Sequence, residues 1–127
     1  MDKTALVGLD IERGSQIIRA LDDADLKPSV ALWAYLPEYE DWRLIIASRK
    51  LDSFDPRSAY RTINDSLLAK GITVEQTPPI VIRSVTDPFI KDLRGMFAKT
   101  ARVEGMRLGG QTIGGRFLEE AYVYRIR

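Results

Sequence analysis

The run VALWAYL (residues 30–36), the break PEYED (37–41) and the run WRLIIAS (42–48) decide the fold. Val, Ile, Trp and Tyr recur in both runs, and these side chains suit a pleated strand. The proline-led, acidic break between them is short enough for a hairpin. Simple antiparallel pairing sets Leu36 opposite Trp42 and Leu32 opposite Ile46. One face then carries Leu32, Ala34, Leu36, Trp42, Leu44 and Ile46 and reads as core. The other carries Trp33, Tyr35, Arg43 and Ile45, too much aromatic area to stand casually exposed. A one-residue slip of register would change these assignments.

Upstream of the hairpin, Val7, Ile11, Gly14, Ile18 and Leu21 recur in steps of four and three, one face of a helix. Asp10, Glu12, Arg13, Gln16, Arg19 and Asp23 take the other side. Gly14 lies inside the apolar stripe, where glycine costs about 1 kcal/mol against alanine. Close packing on another element accounts for its presence. Asp22, Asp23 and Asp25, then Lys27-Pro28, end the helix.

Downstream, Asp55-Pro56 and Asp87-Pro88 each offer an N-cap acid followed by a proline at the first helical position. Ala59, Tyr60, Ile63, Leu67 and Leu68 form the apolar face of the first of these helices, and Gly71 stops it. Phe89, Ile90, Leu93, Met96 and Phe97 do the same in the second. Residues 72–75 and 80–85 read as extended, and Pro78-Pro79 between them predicts an edge or a switch between elements. A second hairpin is expected from residues 103–109 and 116–125, joined by the glycine-rich stretch 110–115. The predicted order is α-β-β-α-β-α-β-β. The fold class is α+β, a mainly antiparallel sheet of four to six strands with three helices on one face. Ile18, Leu32, Leu44, Ile46, Ile63 and Leu93 are the expected core.

The length, residues 1–127, suits a single globular domain. The chain has neither histidine nor cysteine. That removes Ser-His and Cys-His nucleophiles, thiolate or imidazole metal ligation, and any side chain with an unperturbed pKa near neutrality. Carboxylates, Lys, Arg, Tyr, Ser and Thr remain. No apolar run approaches a membrane span, and the N-terminus MDKTALVGLD lacks the apolar region of a secretory signal. A cytoplasmic protein is expected. The net charge is +1, but residues 1–65 carry 9 basic and 12 acidic side chains and residues 66–127 carry 10 and 6, so the C-terminal half is mildly basic.

Gly109-Gly110 and Gly114-Gly115 do not make a phosphate loop, because they precede a strand and no Lys follows them at a helix start. A hairpin turn explains them. Asp22, Asp23 and Asp25 sit at a helix end, and Glu38, Glu40 and Asp41 at a hairpin tip, where solvated acids are common. Glu119 and Glu120 are strand neighbours that point to opposite faces and do not share a metal. Glu120, on the face of Tyr122 and Tyr124, is expected to pair with Arg107 or Arg125. No metal and no cofactor is expected. Trp33, Tyr35, Tyr122 and Tyr124 resemble the start of a stacking platform, with Arg43, Arg83, Arg107 and Arg116 to accompany it.

Three segments, Ala31-Leu32-Trp33, Trp42-Arg43-Leu44 with Ile46-Ala47, and Ala59-Tyr60 with Ile63, resemble a family of small bacterial α+β proteins with no established function. Gly105-Met106-Arg107-Leu108, Ile113-Gly114-Gly115 and the run from Glu120 to Arg125 are similar to the same family. The resemblance covers most of the chain and implies no activity.

The resulting functional expectation is a non-catalytic protein-interaction or accessory module, with another protein or a second copy as partner. Trp33, Tyr35, Arg43, Tyr122 and Tyr124 are the candidate partner-binding residues, acting with the aromatic sheet face or a free sheet edge. The alternatives are a nucleic-acid-binding accessory protein using the basic C-terminal half, and a small enzyme built on carboxylates, Tyr and Arg.

Overall fold

A computed structural model describes residues 5–6 and 8–127. The expected place of Val7 on the first helical stripe lies outside the described residues. The elements follow the predicted order: α1 (Gly8–Asp23), β1 (Val30–Leu36), β2 (Asp41–Ala47), α2 (Pro56–Leu68), β3 (Ile80–Arg83), α3 (Pro88–Met96), β4 (Arg107–Ile113) and β5 (Arg116–Ile126). They build one five-stranded sheet in the order β3-β2-β1-β5-β4. Three pairings are antiparallel, while β2 and β3 run parallel. The sheet is therefore mixed. The parallel pair arises because α2 carries the chain back across the sheet before β3 begins, the crossover that parallel neighbours require.

Both helix starts predicted from Asp-Pro form as expected. The Asp55 carboxylate accepts from the Ser58 backbone N–H, and that of Asp87 from the Phe89 N–H. Each satisfies a donor that the first helical turn leaves open.

The first hairpin pairs one residue away from the simple register. Leu36 lies opposite Asp41 and Tyr35 opposite Trp42. The loop is four residues, 37–40, and Glu40 closes it with a left-handed φ of 52°. This slip regroups the faces. Ala31, Trp33 and Tyr35 share a face with Trp42, Leu44 and Ile46, while Leu32, Ala34 and Leu36 share the other with Arg43, Ile45 and Ala47.

Helices cover both faces, which corrects the expectation of one covered face. Ile17, Ile18 and Leu21 of α1 and Ala59, Ile63 and Leu67 of α2 pack on Trp33, Trp42, Leu44 and Ile46. Phe89, Ile90 and Leu93 of α3 pack on Leu32, Leu36, Ile45, Leu118 and Val123. The central strands are apolar on both sides because both sides are core. For that reason all six expected core residues are buried despite the slip.

Two further boundaries differ. Val74–Gln76 is a turn of 3-10 helix instead of a strand, held by the Gln76 side chain accepting from the Thr73 N–H at 3.1 Å. The second hairpin turns on two residues instead of six. Gly114 and Gly115 take φ of 55° and 81°, the pair of positive angles a tight two-residue turn needs. A Cβ on Gly114 would lie 2.4 Å from the Pro88 and Phe89 backbone, so the turn also needs the missing side chain to dock on α3. β4 consequently runs through Gly109-Gly110 up to Ile113.

Candidate functional site

The five residues expected to bind a partner do not form one surface. Trp33 is 3% exposed beneath α1. Arg43 faces the opposite side of the sheet, because it pairs with Ala34 and its guanidinium lies 4.9 Å from the centre of the Tyr39 ring. Tyr35, Tyr122 and Tyr124 do share the α1 face with Trp33 and are half-buried. The slipped register explains the split: residues taken as one face of a strand pair belong to two.

Trp33 and Tyr124 instead make a polar seam between sheet and helix. The Trp33 indole N–H donates to the Tyr124 hydroxyl at 3.0 Å, and that hydroxyl donates to the Ile11 carbonyl at 2.5 Å. Burial pushes the Tyr124 hydroxyl pKa well above its ordinary value. Gly14 lets this happen. A Cβ there would lie 2.3 Å from the hydroxyl and 3.0 Å from the indole nitrogen. The expected close packing at Gly14 is thus a specific contact with the tyrosine.

A bulge in β5 aims the neighbouring residues. Ala31 pairs with Arg125 but Leu32 with Val123, so Tyr124 is the extra residue. Bulges re-aim side chains. Here Tyr124 packs against the α1-side core, while the adjacent Arg125 also reaches α1 and donates to both oxygens of Asp22 at 2.8 and 2.7 Å. That bond holds the Asp22 carboxyl below its ordinary pKa and raises that of Arg125. The sequence offers Arg107 or Arg125 as the partner of Glu120, and Arg125 engages Asp22. Arg107, the other candidate, lies 5.3 Å from the centre of the Tyr122 ring.

Beside this seam runs a groove of about 460 Å³, bounded by α1, residues 100–104 and the end of β5. Arg19 and Arg102 line it, and neither stood out in the sequence. Their elements are far apart in the chain, so no local spacing brings them together.

The two edges of the sheet differ. β3 has four residues, follows Pro78-Pro79, and its Ile82 N–H donates to the Tyr60 hydroxyl at 3.1 Å. β4 has seven residues, no proline, and Arg107 as its only charged side chain. Among the described residues its one neighbour in the sheet is β5. Thr112 and Gly109 on it are exposed.

Among the described residues, no three carboxylates come together in a way that could hold a metal ion. No helix among them is long and apolar enough to cross a membrane. Comparison with protein-family models, with curated proteins and with solved structures finds no match to this chain.

Proposed function

We propose that this protein is a non-catalytic interaction module that assembles with a second copy of itself through β4. The observation that carries this reading is the contrast between the edges: β3 is short, proline-led and bonded to Tyr60, whereas β4 is long and, among the described residues, has only β5 beside it in the sheet. An unprotected edge offers a row of backbone donors and acceptors to another strand. Proteins usually blunt such edges with lysine, proline or a cover.

The strand is compatible with itself. Ile113 and Arg116 flank the two-residue turn and pair with each other, so Thr112 and Leu108 direct their backbone groups outward, with Gly110 between them at a left-handed φ of 63°. Antiparallel pairing of two β4 strands about Gly110 sets each Arg107 opposite Ile113 of the second copy. The two guanidinium groups then lie at opposite ends and do not repel. A two-fold pairing of this kind closes on itself and stops at a dimer. Tyr122, half-buried on the α1 face of β5, would lie next to that joint.

Several acids already have structural work. Asp55 and Asp87 cap helices, Asp22 holds Arg125, and Asp25 pairs with Lys27 and Lys50. This favours binding over carboxylate catalysis.

The test is the mass in solution across a concentration series, for the parent chain and for Thr112→Pro. The substitution removes an outward N–H that β5 does not use. A dimeric parent and a folded, monomeric variant are expected. A parent that stays monomeric at the highest concentrations, or a variant that stays dimeric, overturns the proposal.

A further inference from the structure

The groove beside α1 has the composition of a ligand site rather than of a packing defect. Its floor is apolar, from Ile18 and Ile126, and its walls are polar. Its volume of about 460 Å³ suits a small organic molecule. Arg19 projects from α1 on one side and Arg102 from the 100–104 segment on the other. Both are exposed, and among the described residues neither has a hydrogen-bond or ion-pair partner.

Two acids, Asp22 and Glu104, line the same groove. Asp22 is engaged with both terminal nitrogens of Arg125, which also donates to the Pro28 carbonyl at 3.2 Å. That cation is therefore fixed in place. Glu104 lies near enough to Arg125 to favour its charged form. Three further guanidinium groups line the groove, Arg19 from α1, Arg102 from the 100–104 segment and Arg127 just beyond β5. A planar carboxylate matches one guanidinium fork, whereas a tetrahedral phosphate has oxygens for forks on two sides. The hydroxyls of Ser15 and Thr100, also in the lining, add donors for it.

We propose that this groove binds a phosphate monoester carrying an apolar or aromatic body, with Arg19 and Arg102 holding the phosphate and the Ile18–Ile126 floor taking the body. The site is independent of β4 and of the assembly proposed for it.

Calorimetric titration of the full chain with phenyl phosphate, inorganic phosphate and phenol tests it. Phenyl phosphate should bind more tightly than either fragment, because only it engages both floor and walls. Arg19→Gln and Arg102→Gln should each weaken it about tenfold, the loss of one charge-assisted hydrogen-bonding group. Both positions are exposed, so folding is expected to persist and is checked by the thermal melt. Lys70→Gln, outside the groove, should leave the affinity unchanged. Three results would each overturn the proposal. One is no saturable binding of phenyl phosphate. Another is equal binding by both groove variants and the parent. The third is binding of single-stranded RNA without any of phenyl phosphate, which would favour a nucleic-acid surface.

Discussion

Replacing Gly14 with alanine sets two effects of opposite sign against each other. Helix propensity alone predicts a gain of about 1 kcal/mol, since Gly14 is interior to α1. The packing predicts a loss. The new methyl would lie 2.3 Å from the Tyr124 hydroxyl and 2.8 Å from its ring carbon, well inside contact distance. Tyr124 does not swing away freely, because its hydroxyl is held by Trp33 on one side and by the Ile11 carbonyl on the other. Forcing it out costs about 1–3 kcal/mol in overpacking. Leaving the buried Trp33 N–H without an acceptor costs about 1–3 kcal/mol more. Against the propensity gain, the net expectation is a destabilisation of about 1–5 kcal/mol. Urea unfolding followed by tryptophan fluorescence measures it. Tyr124→Phe removes the clashing oxygen, so Gly14→Ala should cost less in that background, and the double-mutant cycle should show coupling. A neutral or stabilising Gly14→Ala, or strictly additive mutants, would refute the seam as described.

Three other outcomes are expected. Leu44 is fully buried between sheet and helices, so Leu44→Ala should lower stability by about 2–5 kcal/mol in the same melts. Trp33 and Trp42 are both nearly inaccessible, so native emission should resist an aqueous quencher and become sensitive only on unfolding; strong native quenching would mean α1 does not cover the sheet. Asp22 has a depressed pKa, chiefly through its hydrogen bonds from Arg125, so its contribution to stability is present above its unfolded pKa and is lost as pH falls below about 4. Asp22→Asn should therefore be less stable than the parent at neutral pH, with the gap narrowing under acid in pH-dependent melts.

The sequence by itself determined the elements and their order, because those signals are local. Asp55-Pro56 and Asp87-Pro88 specify helix starts through groups one to three residues apart, and the capping bonds form there. Apolar periodicity chose Ile18, Leu32, Leu44, Ile46, Ile63 and Leu93 correctly, since burial on either face satisfies it. Which face each residue occupies was not legible. It hangs on a single residue of loop length at Glu40, and a period of two converts one residue of slip into a full exchange of faces. Trp33 and Tyr35 thus parted from Arg43. The tertiary structure alone decided that helices cover both faces and that β5 bulges at Tyr124. It also joined Asp22 to Arg125 across 103 residues and set β4 at an edge of the sheet. Each depends on the meeting of segments distant in the chain, and the free energy of those contacts is written in no local stretch.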